Sequence, residues 1–488
     1  MNSDVPSGAV HRVQQMKGAR TPWHALHISK MEELVKKLLS FQVDGGPEDG
    51  AFRSRMSSDS PAGPLTTAET LFPLLLFPER ARYAPRLMRA LRYLVRECIN
   101  AESVGVRPHP EIADWPTGAV DSTAYALLSL CFGRDFLYEC AEASYDKSET
   151  TIKDVEKAID ACLRYLSRNA NPAGWGFAKG LVNRTYSTSL VLVASSHCTV
   201  ADFERSGVRQ EEVVEKAIDY LCSVQDTSNG WSYSESEKRV NPNITAVALY
   251  ALGNGLRYLP GQKFTDAIQS GAQYILSAVN FDTLKFTDVN SRVCSVRDEF
   301  ERVSFDIPEV RAGGRRMFHV EHNYAQPYHM LLPALLWSGV VGFRDSRVGV
   351  LTRSIETQYE DLTRKVAADP RLEKSIEVWE LGDVLFALFA LYSVKEVVPN
   401  SELIYSNLAL EPAVKRLKLR HGLAVGAKQL VNSHAFLIGV GTVAPILGNV
   451  MFSLIGDPLY LLLNLAGALL AYDILRLVER RVDSSTPS

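Results

Sequence analysis

The chain has 488 residues, of which 46% are hydrophobic and 22% charged, and its formal net charge at pH 7 is −3. This balance excludes the strongly basic surface typical of nucleic-acid binding, so we expect no nucleic-acid partner. The seven cysteines contain no CxxC pair, and their odd count fits a reducing compartment better than a disulfide framework. Residues 1–30 have no apolar segment of the signal-peptide kind and are predicted to be a flexible leader.

A unit of helix, turn and helix is the first strong pattern along the chain. Its clearest copy spans 217–252, where Leu221-x3-Gln225 ends an amphipathic helix and Asn229-Gly230-Trp231 forms the turn. The helix that follows is apolar nearly all round, which is typical of a buried helix. Partial copies of the same pattern occur at 38–52 and 165–177.

The buried helices of the first four copies align on a threonine, and the spacings between these threonines are 56, 65 and 57 residues: Thr67, Thr123, Thr188 and Thr245. Weaker copies start at Tyr324 and Trp379. Hairpins of this kind cannot bury their apolar faces singly and must stack on one another. The sequence therefore predicts an all-α fold over 31–398, an (α/α)6 toroid of six helical hairpins.

The fifth copy is interrupted by an insertion at 281–316, which is charged and lacks a clear period. We predict an irregular segment there, long enough to cover one face of the core. Loops of this length within a compact fold are usually functional or disordered.

The composition changes after the toroid. A basic linker is predicted at 399–433, a nearly uncharged C-terminal hydrophobic helical hairpin at 434–476, and a polar tail at 477–488. The first apolar stretch of the hairpin exceeds the roughly 20 residues that a bilayer span requires. Basic residues flank the hairpin at both ends, which predicts a membrane location with the toroid on the cytoplasmic side. The alternative is a pair of buried helices docked on the toroid.

The glutamine–tryptophan pattern at 221–231, with its partial copies, resembles the repeats of the terpene cyclase and protein prenyltransferase superfamily, squalene–hopene cyclase in particular. The resemblance covers about residues 31–394. It implies an α-α toroid whose cavity takes an isoprenoid or another membrane lipid. In such repeats the glutamine can bond the backbone of the neighbouring hairpin while the tryptophan stacks on it.

One acidic motif supports a catalytic role on the strength of this resemblance. Class II terpene cyclases carry Asp-x-Asp-Asp-Thr-Ala at the entrance of an inner helix, and the middle aspartate is the general acid. Residues 119–124 are Ala-Val-Asp-Ser-Thr-Ala, so the middle aspartate, Asp121, and the Thr-Ala pair match. Asp121 is therefore the candidate general acid. The competing interpretation is that Asp121 only caps its helix.

The positions two residues before the aligned threonine are expected to form one tier near the cavity mouth. Candidate ligand-binding residues are Tyr186, Asn243, Asn323 and Trp379 in this tier, with Trp115 from a preceding loop. Aromatic faces in such a tier could stabilise a carbocation or line a lipid pocket.

The metal and cofactor predictions are weaker. Prenyltransferase β subunits hold zinc through Asp, Cys and His, and that ligand set is not preserved in the fourth repeat. The remaining metal candidates are His319, His322 and His329, because the three-residue spacing of the first two would place them on one helix face. No cofactor is predicted.

Two functions stay open on the sequence alone. The first is a membrane-anchored toroid that binds an isoprenoid or other lipid, with catalysis of its cyclisation or transfer undecided. The second is a catalytically inactive toroid that serves as a sensor or scaffold for a protein partner and signals through the hairpin. A toroidal glycosidase would need two carboxylates across a cleft, and the sequence offers no convincing pair.

Overall fold

The computed structural model describes residues 22–100, 105–107, 118–142, 152–237, 239–255, 262–288, 290–296, 300–311, 314–325, 328–338, 340–341, 345–368 and 377–397. The chain divides into two units, Met1–Glu411 and Pro412–Ser488, and every described residue belongs to the first. The predicted linker, hairpin and tail over 399–488 lie outside the described residues.

The described residues form mainly helices: α1 (Pro22–Leu39), α2 (Pro64–Leu76), α3 (Ala84–Asn100), α4 (Val120–Glu142), α5 (Ile152–Arg168), α6 (Thr185–Ser195), α7 (Val200–Ser206), α8 (Lys216–Ser223), α9 (Pro242–Gly255), α10 (Gln262–Ala278), α11 (Leu331–Trp337), α12 (Ser346–Ala368) and α13 (Val378–Val397). The short strands β1 (Phe52–Arg53) and β2 (Ala62–Gly63) pair antiparallel before α2. Helix α1 begins within the segment predicted to be a leader.

Six of these helices form a closed ring. Going round it, α2 contacts α4, α4 contacts α6, α6 contacts α9, α9 contacts α11, α11 contacts α13, and α13 returns to α2. Helices α1, α3, α5, α8, α10 and α12 pack on the outside of this ring. The inner helices are buried almost all round because they face both the outer layer and the ring interior. The predicted all-α toroid is confirmed in this arrangement of two layers.

The aligned threonines have one structural task in common. Each hydroxyl accepts a hydrogen bond from a backbone N–H in the turn that leads to its helix: Phe52 to Thr67 at 2.9 Å, and Val106 to Thr123, Trp175 to Thr188 and Trp231 to Thr245 at 3.0 Å each. A buried backbone N–H must find a partner within the protein. The threonine therefore recurs because every turn presents the same donor to the inner helix.

The glutamine of the repeat joins neighbouring hairpins, as predicted. Gln225 Nε2 donates to the Ala267 carbonyl at 3.1 Å and to Ser270 Oγ at 3.0 Å, both on the next outer helix, α10. Gln42 donates to the Arg86 carbonyl on α3 at 2.9 Å. Trp231 is fully buried, and its Nε1 donates to the Leu221 carbonyl of its own hairpin at 2.8 Å. Trp175 Nε1 donates to the Leu166 carbonyl at 2.8 Å in the same way, so in these two repeats the tryptophan ties the turn to the preceding outer helix.

The insertion in the fifth repeat contains strands. Strands β3 (Lys285–Thr287) and β4 (Val293–Ser295) form a short antiparallel pair. Strands β5 (Phe300–Arg311) and β6 (Gly314–Ala325) form a longer antiparallel hairpin, in which Phe300 lies opposite Ala325. The prediction of an irregular segment was therefore wrong. The fifth inner helix also begins at Leu331, later than the predicted start at Tyr324.

Candidate active site

The residues of the predicted mouth tier recur at one position of the inner helices. Asp121, Tyr186, Asn243 and Trp379 are each the second residue of their helix, in α4, α6, α9 and α13 respectively. Asn323 belongs to strand β6 and not to an inner helix. Trp115 lies outside the described residues. The sequence alignment thus places four of its candidates at one level of the ring.

Asp121 forms a buried ion pair with Arg184. The two side chains are 3.5 Å apart between Oδ2 and Nη1. Burial raises the pKa of Asp121, while the charge of Arg184 and a hydrogen bond from Ser187 lower it. No described backbone N–H donates to the carboxylate, so the capping interpretation has no geometric support. The role of Asp121 as a general acid stays a prediction.

Two further carboxyl groups lie deeper in the ring. Glu69 is the sixth residue of α2 and Asp383 the sixth residue of α13, and these two helices are neighbours. They approach closely at Gly382, where an added Cβ would lie only 3.3 Å from the Glu69 carbonyl oxygen. Four residues separate the sixth position of a helix from its second, so this acidic pair lies about 6 Å below the mouth tier.

Both carboxyl groups of the acidic pair favour their protonated forms. Burial raises the pKa of Glu69 well above its ordinary value, and the negative charges of Asp383, Glu377 and Asp121 raise it further. Burial, with a contribution from the charge of Glu380, raises the pKa of Asp383 to about 7. Glu69 and Asp383 are both half-buried, whereas both carboxylate oxygens of Asp121 are fully buried. The charges of Asp383 and Asp121 both act on Glu69, so the three carboxyl groups lie in one region of the ring.

This interior is accessible to solvent. The side chain of Asp383 is 27% exposed although its helix, α13, packs against α1, α2 and α11, which indicates a cavity inside the ring. Tyr125 and Tyr186 are also half-buried, and their hydroxyl oxygens are 3.3 Å apart. The Tyr186 ring stacks on Tyr233 with the ring centres 6.0 Å apart. Aromatic rings therefore line the cavity beside the carboxyl groups.

The other predicted tier residues have different surroundings. Trp379 is half-buried, and its Nε1 donates to Glu377 Oε2 at 3.2 Å. Asn243 is fully buried, and its Nδ2 donates to the Val296 carbonyl at 2.9 Å. That bond fixes the segment after β4 to the start of α9. We therefore infer a structural task for the Asn243 amide nitrogen, while ligand binding by Trp379 stays a prediction.

The predicted metal candidates do not share a helix face. His319 and His322 lie on strand β6, opposite Asp306 and Val303, and not on a helix. His329 lies in the 3₁₀ turn Tyr328–Met330, where its Nε2 is 3.0 Å from Gln358 Oε1 and its Nδ1 is 3.9 Å from Asp383 Oδ2. Among the described residues, no three His, Cys, Asp or Glu side chains are grouped so that they could hold a metal ion.

No protein-family model matches the chain, and no curated protein matches it in sequence. Solved structures with a similar arrangement include an unsaturated glucuronyl hydrolase specific for heparin, with 11% identity over 77% of this chain and 98% of that one and a TM-score of 0.48. The α-1,6-mannanase of Salegentibacter sp. HEL1_6 has 8% identity over 75% of this chain and 99% of its own, with a TM-score of 0.47. A family 76 glycoside hydrolase of Bacteroides thetaiotaomicron has 9% identity over 77% and 100%, with a TM-score of 0.45. Likeness at this level assigns no activity to the chain.

These structures correct the family and ligand predicted from the repeats. They are glycoside hydrolases, and an inactive variant of the mannanase has been determined in complex with α-1,6-mannotriose. The predicted kinship with terpene cyclases and prenyltransferases was therefore wrong, as were the isoprenoid or membrane-lipid ligand and the lipid-based function. The site agrees with this correction, because the two half-buried carboxyl groups of Glu69 and Asp383 disfavour an apolar ligand.

The prediction of a membrane location is wrong for the part of the chain that the structure describes. No helix among those residues is long and apolar enough to cross a bilayer. The predicted hairpin at 434–476 lies outside them, and so does the tail that follows it.

Proposed function

We propose that the toroid is a glycoside hydrolase in which Glu69 is the proton donor and Asp383 the base. One observation carries this proposal: two carboxyl groups from neighbouring inner helices face one enclosed cavity, and the charge of Asp383 helps to keep Glu69 protonated. Glycoside hydrolysis generally employs two carboxyl groups whose environments push their pKa values apart. Once Asp383 is ionised, its negative charge favours the protonated form of Glu69, so Glu69 keeps its proton when Asp383 has lost its own.

The proposed reaction needs only these two groups and water. Glu69 gives its proton to the glycosidic oxygen as the bond from that oxygen to the anomeric carbon breaks. A water molecule adds to the anomeric carbon and passes one of its protons to the Asp383 carboxylate. Exchange with solvent then restores the proton on Glu69 and removes it from Asp383. In sum, one water molecule is added across one glycosidic bond.

The lining of the cavity suits a saccharide better than an apolar ligand. Tyr125 and Tyr186 present aromatic faces and hydroxyl groups beside the half-buried carboxyl groups of Glu69 and Asp383. Ligand sites combine such aromatic surfaces with a few polar groups that fix orientation. Carboxylates accept hydrogen bonds from sugar hydroxyls, so the acidic residues serve binding as well as chemistry.

The test is hydrolysis of linear manno-, gluco- and uronic-acid oligosaccharides, followed by chromatography of the products. We expect Glu69→Gln and Asp383→Asn each to lower kcat by about 10²–10⁴-fold, the usual contribution of a general acid or base. Glu356→Gln is the matched control, because it removes a carboxylate that pairs with Lys30 in the outer layer at 2.9 Å. Wild-type protein that cleaves none of these saccharides, or full activity in either site variant, would overturn the proposal.

A further inference from the structure

Aromatic side chains meet inside the ring at a deeper level than the acidic pair. We call this group the aromatic floor, and each repeat from the first hairpin to the last contributes to it: Phe72, Phe132, His197, Tyr250, Trp337 and Phe386. Phe72 and Phe386 lie three residues beyond Glu69 and Asp383 on the same helices. At the rise of an α-helix, the floor begins about 4.5 Å below the acidic pair.

The rings of the aromatic floor contact one another in a series that follows the inner helices. Phe72 lies 5.0 Å from Phe386 and 5.6 Å from Phe132 between ring centres, and Phe132 lies 4.7 Å from His197. Aromatic rings at such separations are in contact. This series of ring contacts links α13, α2 and α4 to His197, which lies two residues beyond the end of α6.

One ring contact joins two inner helices that are not neighbours in the ring. Tyr250 on α9 lies 5.5 Å from Phe386 on α13, although α11 stands between these two helices in the ring. Trp337 of α11 stacks on Tyr250 at 5.0 Å. Phe386 is only 2% exposed, and Tyr250 only 5%. These three side chains therefore occupy the space between α9, α11 and α13 at this level.

The acidic pair consequently lies near the closed end of the cavity. Glu69 and Asp383 are each five residues from the start of their helix, which places them about 7.5 Å below the helix ends. A polysaccharide lying across the mouth would keep its internal bonds above that depth. The end of a chain could instead enter the ring and bring its terminal glycosidic bond to the carboxyl groups.

We propose that the cavity is a pocket closed by the aromatic floor, and that it admits only the end of a saccharide chain. This inference rests on the proposed glycoside hydrolase function and adds to it the position of the cut. The enzyme removes the terminal unit of an oligosaccharide and leaves internal bonds intact. The floor residues set this preference by limiting depth, and they take no part in the bond-breaking step.

The first experiment follows product sizes from manno- and gluco-oligosaccharides labelled at the reducing end. A pocket releases terminal units one at a time, and blocking the terminal sugar by O-methylation lowers the rate at least about tenfold, the cost of losing one well-placed group. A cyclic oligosaccharide of the same sugar is the matched control and is not cut. Early fragments of intermediate length, or cleavage of the cyclic compound, would overturn the pocket while leaving the hydrolase function standing.

The second experiment measures binding and does not depend on turnover. Glu69→Gln protein is titrated by calorimetry with the same oligosaccharides in short and long forms. If the site is a pocket, one protein molecule binds per saccharide chain end, whatever the chain length. If the site is an open cleft, the number of protein molecules bound per saccharide chain increases as the chain becomes longer. If the wild type binds in this end-limited way but cuts nothing, the pocket stands and the hydrolase function fails. Absence of both binding and cleavage would overturn both proposals.

Discussion

At the scale of single residues, Asp383 is a side chain whose charge opposes folding. Burial raises its pKa from an ordinary 3.8 to about 7. A carboxyl group whose pKa is raised in the folded state makes its full contribution to the free energy of unfolding below its unfolded-state pKa of about 4. That contribution is lost as the pH rises through the folded-state pKa. The ionised form needed for base catalysis is thus present at a cost to the folded state.

Replacing Asp383 should therefore stabilise the protein at high pH. We expect Asp383→Asn to raise the free energy of unfolding by about 2 kcal/mol at about pH 8 and to change it little at about pH 4. Denaturant titrations at the two pH values measure the difference. Asp345→Asn is a control of opposite sign, because Arg347 lowers the pKa of Asp345, and that variant should lose stability at the higher pH. An equal effect of Asp383→Asn at both pH values would contradict the buried-charge explanation.

The same pKa values determine how activity should vary with pH. The base must be ionised, so activity should rise with pH through about 7, the pKa of Asp383. The acid must be protonated, so activity should fall again as the pH passes the raised pKa of Glu69. A profile of kcat/KM against pH measures both limbs. An optimum at about pH 5 would contradict this assignment of the base.

A leaving-group experiment should show which carboxyl group is the acid. An aryl glycoside with a strongly acidic phenol leaves without protonation, so loss of the true acid should be largely rescued on that substrate. We expect rescue of Glu69→Gln on a dinitrophenyl glycoside relative to an alkyl glycoside. Asp121→Asn should show no such difference, since we place Asp121 at the mouth beside Arg184. The reverse pattern would restore Asp121 as the general acid.

Both members of the acidic pair could be found in the sequence as charges within apolar helices, but their pairing could not. Glu69 is the one charged residue of α2, and Asp383 precedes the long apolar run of α13 with Glu380 as its charged neighbour. Buried charges of this kind are unusual and point to function. The predicted mouth tier lies two residues before each aligned threonine, whereas Glu69 lies two residues after Thr67. The two carboxyl groups are brought together only by closure of the ring, which no local pattern specifies.

At the scale of the repeated element, the turn glycine determines how closely successive hairpins pack. A Cβ on Gly230 would lie 2.3 Å from Val240 Cγ1 and 2.9 Å from the Tyr274 ring on the next outer helix. Gly174 meets the Tyr220 ring in the same way, with 2.8 Å to the nearest atom. The glycine therefore makes room for a tyrosine of the neighbouring hairpin.

This contact predicts a difference between two glycine substitutions in one hairpin. Gly230→Ala should lower the free energy of unfolding by about 1–3 kcal/mol, because the added methyl group overpacks the contact with Tyr274. Gly253→Ala is the matched control: nothing lies within 4 Å of its added Cβ, and α9 should gain about 1 kcal/mol from the better helix former. Thermal and denaturant unfolding of both variants measure the difference. Equal stabilities would contradict the packing role.

The helical hairpins were predictable because their signals recur, and the inserted strands were not. Thr67, Thr123, Thr188 and Thr245 occupy equivalent positions, so each copy supports the interpretation of the others. The insertion occurs once and alternates charged with apolar residues too irregularly to show a strand period. Strands β5 and β6 pair with each other rather than with the repeats. Their cross-strand partners therefore could not be inferred from the repeat pattern.

At the scale of the whole molecule, the first and last repeats are joined directly. The Val378 N–H donates to the Ser54 carbonyl at 3.0 Å, and Lys30 Nζ lies 2.9 Å from Glu356 Oε1 in the outer layer. Helix α13 packs on both α2 and α1. The toroid therefore differs from an open array of repeats, in which the end units have one neighbour each.

Closure predicts that the toroid unfolds as one cooperative unit and does not tolerate loss of its last hairpin. Ending the chain after Asp345 would remove α12 and α13 and expose the buried faces of α1 and α2, including Phe72, whose ring lies 5.0 Å from Phe386 of α13 between ring centres. We expect that shortened protein to lose its single sharp unfolding transition in calorimetry, because several large apolar side chains would lose their packing.

Ending the chain after Glu411, at the boundary between the two units, is the control and should leave the transition of the toroid intact. Glu356→Gln is a second control, since one partly exposed ion pair contributes only about 0–1 kcal/mol. A sharp transition at an unchanged temperature after removal of α12 and α13 would show that the repeats are stable without a closed ring.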